Sequence, residues 1–522
     1  MTNRLLFLTL ALVFLATGLS AQNYSRRTDI MLQGFNWDSH SNGSGWYNVV
    51  RWNAADIANA GFSMVWLPPP SDAAAPQGYL PRELYNLNTQ YGNQNQLKSC
   101  INALHNRGVK VLADVVINHR VGSTNWADFQ NPSWGCWAVT RNDEWGQNGG
   151  NPCGDWDTGD NYHAARDINH RDGRVRNSIR DWLRWLKRGQ NAGFDGWRYD
   201  YVRGFNGSYV KTYNDLTNPY FSVGELWDNL NLNNVNAHRQ QIVNWIDQAQ
   251  GRTAAFDFTT KGVLQAAVNN QYWRLRINNA PPGVIGWWPS RAVTFVDNHD
   301  TGSSQNYWPF PGNKVLQGYA YILTHPGVPS VFWDHYFDWG IKNQIRTLMR
   351  VRKDNGLHSE SNVWILEARS DLYAAIIDGK VAMKIGPGGW WPGNGWTLRI
   401  SGNDFAVWDK TGRSADVTDT DDEKPGTYAP EQITSTGKLA LTAAPNPAFG
   451  STTLNFNLLT EERFDLRVSD LHGRTIEEIR DQAAGTPGLR SHRLDTSDLP
   501  AGIYLVRLRQ GKSVETLRLV VR

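Results

Sequence analysis

Four short segments place carboxylates, imidazoles and a guanidinium where apolar runs end. They are Asp114-Val-Val-Ile-Asn118-His119, Trp197-Arg198-Tyr199-Asp200, Gly224-Glu225-Leu226-Trp227 and Asp297-Asn298-His299-Asp300. One acidic residue at the end of a strand is usually a solvated loop residue or a helix cap. Asp200, Glu225 and Asp300, with His119, His299 and Arg198, close four nearly successive strands. In a parallel barrel such ends converge on one rim, where active sites sit. Several carboxylates without a nucleophilic Ser or Cys suit glycoside hydrolysis. One attacks the anomeric carbon and another protonates the departing oxygen. A third can stabilise the positive, oxocarbenium-like transition state. Arg198 lies two residues before Asp200, so in a strand both face the same way. A guanidinium beside a carboxylate favours its charged, nucleophilic form. The acid must stay protonated, which calls for apolar or anionic surroundings. Trp227, close to Glu225, is placed to give apolar cover.

The elements that must carry these residues follow one grammar from about residue 28 to 350: short apolar strand, loop, amphipathic helix, Gly, next strand. Leu97, Ile101 and Leu104 have helical spacing, Gly108 stops that helix, and Val109–Val116 is apolar. Val175, Ile179, Leu183 and Leu186 repeat the pattern before Gly193 and the strand Phe194–Asp200. Eight strands are expected, at 30–34, 63–67, 109–116, 194–200, 220–225, 254–258, 292–297 and 328–333. Apolar strands alternating with helices mean a parallel sheet buried on both faces. Eight such units fit a (β/α)8 TIM barrel, with a doubly wound open sheet as the alternative. Residues 119–166, rich in Asn, Gly, Asp and Trp, are too long for a structureless loop. They read as an inserted domain after strand 3, which leaves 22–118 and 167–352 for the barrel. Alternating short strands over 353–410 suggest a C-terminal antiparallel β domain. Residues 411–437 read as a polar linker, and 438–522 as a terminal β-sandwich with strands at 453–458, 464–469, 503–509 and 516–521.

The 522 residues suffice for several domains and a large core. Formal net charge is +3, so nothing points to nucleic acid as a partner. Three Cys exclude a cysteine-rich scaffold or a multi-cysteine zinc module. The outlier is Trp, 25 copies against 5 Met, which hints at sugar stacking but serves core packing equally well. Residues 1–21 combine Arg4, an apolar run from Leu5 to Leu15, and Ala21 at a cleavage site, as a secretory signal peptide does. No later stretch approaches the 18 apolar residues of a membrane span. Export permits disulfides. Cys136 and Cys153, in one Gly/Asn-rich loop, are candidates for pairing, a question the sequence leaves open; Cys100 reads as a buried thiol.

DVVINH, GFDGWRYD, GELW and FVDNHD resemble the four signature segments of the α-amylase family, glycoside hydrolase family 13, over about residues 28–410. QGYLPRELYNLN, FDFTTKG and GWWPSRAVTFVDNHDTGS look closest to its plant-type members. The resemblance implies endo-hydrolysis of α-1,4-glucosidic bonds in starch or glycogen, with retention through a covalent glycosyl-enzyme. Asp200 would be the nucleophile, Glu225 the general acid/base and Asp300 the transition-state stabiliser. The carboxyls of Asp200 and Glu225 would lie about 5–5.5 Å apart. His119, Arg198 and His299 would line the subsite for the attacked glucose, Tyr79 would stack beneath it, and Trp287 and Trp288 resemble a surface starch-binding pair. The resemblance also implies a structural Ca2+ on Asn118, Asp157 and Asp167, completed by main-chain carbonyls near Ala165 and Gly204. Further calcium ions are doubtful, since Asn161 stands where an acid is expected; Asp155 and Asp160 are weak candidates.

Residues 438–522 look like a type IX secretion sorting domain, on Pro445-Asn446-Pro447, Ser469-Asp470-Leu471-His472-Gly473-Arg474 and Gly502-Ile503-Tyr504. An accessory starch-binding module is the alternative, disfavoured because this segment has no Trp. The resemblance implies the type IX machinery as partner and a secreted or surface-attached enzyme; a monomer is expected, though the sequence does not fix the oligomeric state. Two rival readings stay open. One is another retaining α-glucan enzyme, a transglycosylase or maltogenic hydrolase; the other is a non-catalytic surface glucan-binding protein.

Overall fold

The structure, a computed structural model, describes residues 23–123, 127–410, 440–460, 462–470, 474–480, 488–500, 502–511 and 513–521. The expected signal peptide, the whole of the expected linker, and Leu471 to Gly473 lie outside the described residues.

Eight parallel strands close into a barrel: β1 (Met31–Gln33), β2 (Met64–Leu67), β3 (Lys110–Val115), β4 (Gly196–Tyr199), β5 (Ser222–Gly224), β6 (Ala254–Phe256), β7 (Ala292–Phe295) and β8 (Val328–Phe332). Each neighbours its successor, and β8 pairs with β1. The closed order excludes the open doubly wound sheet. Hydrogen-bonded strands are shorter than the apolar runs, so Asp200, Glu225 and Asp300 lie just beyond strand ends, where the backbone turns into loops. The register makes rim neighbours of β4 and β5: Tyr199 pairs with Gly224, and the Glu225 N–H donates to the Tyr199 carbonyl at 3.0 Å.

Helices cover the barrel because one stripe of each is apolar. Helix α1 (Gln94–His105) starts at an Asn93 cap and buries Leu97, Cys100, Ile101 and Leu104. Gly108, at φ 75°, turns the chain into β3. Helix α2 (Gly173–Lys187) buries Val175, Ile179, Trp182, Leu183 and Leu186, each worth about 1.5–3 kcal/mol of apolar burial. The Trp182 indole N–H is satisfied by the Leu84 carbonyl at 2.7 Å, so the ring enters the core without an orphaned donor.

Beyond the barrel, strands β9 (Val363–Ala368), β10 (Tyr373–Ile377), β11 (Val381–Ile385), β12 (Thr397–Gly402) and β13 (Phe405–Asp409) form an antiparallel sheet in the order β9-β10-β11-β13-β12. Its Tyr373, Ala375, Ile377, Val381 and Met383 face join the barrel's core. Trp390 packs edge-on against Trp408, while Trp391 is exposed. Among the described residues the tail has seven strands between Ala440 and Val521, three more than the sequence pattern suggests. It has its own core around Leu454, Leu466, Val506 and Leu508.

The described residues of the 119–166 segment contain little regular structure. His119–Arg120 pairs antiparallel with Arg166–Asp167, and Cys136 is bonded to Cys153. Arg120 is buried and donates to the carbonyls of Arg82, Gln130 and Pro132, so one guanidinium gathers three loop strands. Cys100 is a buried free thiol. Replacing both Cys136 and Cys153 by Ser frees a 17-residue separation. Loop-closure entropy then predicts a loss of about 3 kcal/mol for unfolding of this segment. Urea denaturation followed by limited proteolysis of the 119–166 region checks it; unchanged proteolysis at equal urea contradicts it.

Candidate active site

The rim is organised around Arg198, whose side chain is fully buried. Its Nη1 donates to Asp114 Oδ1 at 2.8 Å and to Asp200 Oδ1 at 2.6 Å. Its Nη2 lies 2.7 Å from Glu225 Oε1, an ion pair whose angle falls outside a hydrogen bond. The guanidinium carbon sits 4.8 Å over the Trp66 ring, which closes the site from below. Burial alone would pull the Arg198 pKa down, but the Asp114, Glu225 and Asp200 carboxylates outweigh it and hold it well above its ordinary value. The geometry follows from register: Asp114 pairs with Arg198 across β3 and β4, and Glu225 follows the last residue of β5.

One cation among several anions leaves negative charge uncompensated. Burial pushes the Glu225 carboxyl well above its usual range; Arg198 opposes this, and Asp200 and Asp300 add to it. Burial likewise raises Asp300 to about 7, against Arg198 and with Asp200 and Asp114. A carboxyl that holds its proton near neutrality is suited to general acid work. The Tyr201 N–H donates to Glu225 Oε2 at 3.3 Å. Tyr201 reaches it from φ 44°, a left-handed conformation costly for a residue with a Cβ.

Asp300 is set by a tight turn. Asn298 Oδ1 accepts from the N–H groups of Asp300 and Thr301 at 3.1 and 2.9 Å. Gln305 Nε2 donates to Asp300 Oδ1 at 2.7 Å. His299 is buried, and burial holds its pKa well below the ordinary value, so it is neutral near pH 7. Gln33 donates to its Nδ1 at 2.9 Å, which leaves the proton on Nε2, 3.3 Å from Asp300 Oδ2. His119 is also buried and depressed. Its Nε2 faces the Tyr79 carbonyl at 2.8 Å, and Tyr162 stacks on its ring at 3.8 Å. Tyr79, His299 and Trp37 lie parallel in a triangle, with ring centres 5.2, 5.9 and 6.1 Å apart, and the Tyr79 hydroxyl donates to Asp114. Trp227 stacks on Phe258 and shares with Glu225 and Tyr201 the lining of a cavity of about 240 Å3.

Asp200, Glu225, Asp300, Tyr79, His119, Arg198 and His299 therefore share one cluster. Asp114, named above only as the first residue of its segment, also belongs to the cluster, as do Trp66, Gln33, Trp37, Tyr162 and Gln305, which no motif marked. Asp114 had a signal, a charge inside the apolar run Val109–Val116. It is fully buried, and burial raises it to about 7 although Arg198, Tyr79 and Trp66 all donate to it. Trp287 and Trp288 lie away from this cluster, on the irregular segment before β7. Trp287 is exposed on one side, with Arg239 3.6 Å over its ring; Trp288 is half-buried beside Gly251.

A second group of oxygens lies where the 119–166 segment returns to the barrel. Asn118 and Asp167 are buried, and the Asn118 amide approaches Asp167 Oδ1 at 3.4 Å. Gly204 packs so tightly on Asn118 that a Cβ would come within 1.9 Å of its Oδ1. Asp157 Oδ2 is buried without a hydrogen-bond partner, and the Ala165 backbone is buried nearby in sequence. Burial lifts Asp167 to about 8 and Asp157 to about 6, helped by neighbouring acids. Asp143 and Glu144, which the sequence reading passed over, lie beside Asp167 with carboxylate oxygens within 4.8 Å. Arg166 already pairs with both, at 2.6 Å each. Asp160 pairs with Arg203, and Asp155 approaches the Asn169 amide.

Residues 38–219 match the model described as alpha amylase, catalytic domain; residues 354–409 match the alpha-amylase C-terminal beta-sheet domain; residues 442–522 match the secretion system C-terminal sorting domain. The chain is 48% identical to a probable alpha-amylase 2 of Arabidopsis thaliana over 399 residues, 73% of this chain and 94% of the relative. It is 35% identical to a glucan 1,4-alpha-maltotetraohydrolase of Stutzerimonas stutzeri, over 68% of this chain and 67% of that one. An alpha-amylase structure from Malbranchea cinnamomea superimposes with a TM-score of 0.52 at 17% identity, covering 90% and 95% of the two chains, which supports the fold.

The Arg198 clamp makes a thermodynamic prediction. Arg198→Met leaves buried carboxylates without their cation, at a cost of about 3–5 kcal/mol near neutral pH. The folded-state pKa values of Asp114 and Glu225, already raised, then rise further above the unfolded ones, so stability is retained at low pH and lost as pH rises. Urea midpoints of both proteins from pH 5 to 8 should diverge with increasing pH; a small, pH-independent difference contradicts the clamp.

Proposed function

This chain belongs to the α-amylase family, and from that premise we propose that it cleaves internal α-1,4-glucosidic bonds of starch or glycogen with retention of configuration. The observation that carries the reading is the convergence of Asp200 and Glu225 on one buried guanidinium, with Asp300 beside His299. Glu225, protonated near neutrality, gives its proton to the departing glucosidic oxygen as Asp200 forms a bond to the anomeric carbon. In the second half Glu225 takes a proton from water, whose oxygen attacks the same carbon and expels Asp200. Two inversions give net retention. Asp300 and the carbonyl and carboxylate oxygens around it oppose the positive charge that grows on the sugar ring. His119, His299 and Tyr79 offer polar atoms and a flat ring to the attacked glucose. Trp287, the more exposed of its pair, offers a separate stacking face for chain polymer.

The oxygen group of Asn118, Asp157 and Asp167, with carbonyls near Ala165 and Gly204, suits a structural Ca2+. Two features support it: the orphaned Asp157 oxygen, and two raised carboxyls with no basic partner among the described residues. Asp143 and Glu144 already have Arg166 as their cation, which favours the Asp157 side for the ion. When bound, Ca2+ ties the inserted segment to the barrel beside His119. The 119–166 segment then acts as a domain of its own, and 411–437 as the linker to the tail. The C-terminal match supports export by type IX secretion, with a secreted or surface-bound enzyme as the result.

Reducing-sugar release from soluble starch tests the chemistry. Asp200→Asn should abolish it, and Glu225→Gln should lower kcat by about 10²–10⁴-fold. Release at the parent rate by Asp200→Asn defeats the assignment.

Calcium has a separate test. Asp167 and Asp157 have folded pKa values above their unfolded ones, so without metal they favour the fold at low pH. That contribution is lost as pH rises from about 4 through about 6 and about 8. A chelator should therefore lower Tm most near pH 8, and excess Ca2+ should restore it. A Tm insensitive to chelator at pH 8 argues against the ion.

A further inference from the structure

Lys261 lies on helix α3 (Phe258–Ala266), the helix that follows β6, and its side chain is fully buried. A buried ammonium is expensive unless its donors are used and its charge is met. Nζ donates to the Trp308 carbonyl at 2.6 Å and to the Gln265 side chain, and lies 3.4 Å from Asp297 Oδ1. The Trp308 and Phe310 rings lie 4.7 and 5.7 Å from it, which keeps water away. Helix α3 is itself anchored by Asp257, whose carboxylate accepts from the Thr260 N–H and hydroxyl and from the Ile285 N–H.

Asp297 is the other half of the device. It lies just past β7 and is buried with Lys261. Its carboxylate accepts from the Thr301 hydroxyl at 2.9 Å and from the Phe310 N–H at 3.2 Å. The segment from Asp300 to Phe310 is thus fastened at both ends to one carboxylate. That segment carries Asp300, its partner Gln305, and the exposed Tyr307 at the rim. The Tyr307 N–H bonds to the Asp300 carbonyl at 3.1 Å, closing the loop on itself. His335, from the helix after β8, lies 3.7 Å from Asp297 Oδ2, and the Asp297 charge also reaches the buried Asp334 and Tyr319.

We infer that Lys261 is a positioning residue for the reaction: by neutralising Asp297 and holding the Trp308 carbonyl, it fixes the 300–310 loop and so the place of the Asp300 carboxylate. Lys261 touches no reacting atom, and the inference rests on the proposed role of Asp300. Without its cation, Asp297 must take up a proton or draw in water. Either change alters its bonds to Thr301 and Phe310 and releases the loop. A displacement of about 1 Å at a catalytic group costs on the order of 10²-fold in rate.

The test is a double-mutant cycle on the full chain, with a chromogenic maltoheptaoside as substrate, at a temperature well below each variant's Tm. Lys261→Met should lower kcat about 10- to 100-fold, with KM changed less than about threefold. In an Asp300→Asn background the same substitution should lower kcat less than about threefold, because the group it positions is already disabled. Asp297→Asn, which preserves shape, should reproduce the loss and carries the test if Lys261→Met does not fold. A lower Tm with the parent kcat in the folded variants would make Lys261 an ordinary core residue and overturn the inference. Equal losses in both backgrounds would overturn it too. An Asp300→Asn enzyme that keeps the parent kcat would instead refute the role proposed for Asp300.

Discussion

A single guanidinium, out of contact with water, decides how this rim is built. Arg198 meets Asp114, Asp200 and Glu225 within hydrogen-bonding or ion-pair distance, and none of the four would be tolerated there alone. The pairing does not balance. With Asp300 close by, negative groups outnumber the cation, and the imbalance is met by holding protons on carboxyls rather than by importing another base. Burial, reinforced by Asp200 and Asp300, raises Glu225 well above its usual range although it sits against an arginine. Acidity near neutrality is thus first a consequence of a dry site, and then of crowding four acids around one cation there.

The same economy recurs at two other places. Between the inserted segment and the barrel, Arg166 serves Asp143 and Glu144, while Asp157 and Asp167 have no basic partner among the described residues. Below the 300–310 loop, Lys261 serves Asp297. In each case a buried charge holds a loop in place, because leaving it unmatched costs more than bending the chain to meet it. The barrel supplies a rigid floor, and these pairs fix the loops that rise from it.

Much of the architecture was legible in the chain. Apolar runs of strand length, helical stripes such as Val175, Ile179, Leu183 and Leu186, and stops such as Gly108 are local features set by burial and backbone sterics. Eight repeats of them describe a barrel, and the residues closing the runs mark its rim. What escaped were residues whose importance depends on partners far away in sequence. Gln33 meets His299 across 266 positions, Asp114 meets Arg198 across 84, and Gln305 lies on a loop of unremarkable composition. Asp143 and Glu144 read as ordinary loop acids until Arg166 and Asp167 stand beside them.

By itself, then, the amino-acid order determined the class of fold, the family resemblance and the acids at the strand ends, since each depends on periodicity and residue type within a few positions. The tertiary structure alone decided which acids share a cation, which stay protonated, that Cys136 and Cys153 are joined, and that Trp287 lies open while Trp288 is half-covered. Those outcomes depend on distance and exclusion of water between segments remote in the chain, and electrostatic energy is governed by both.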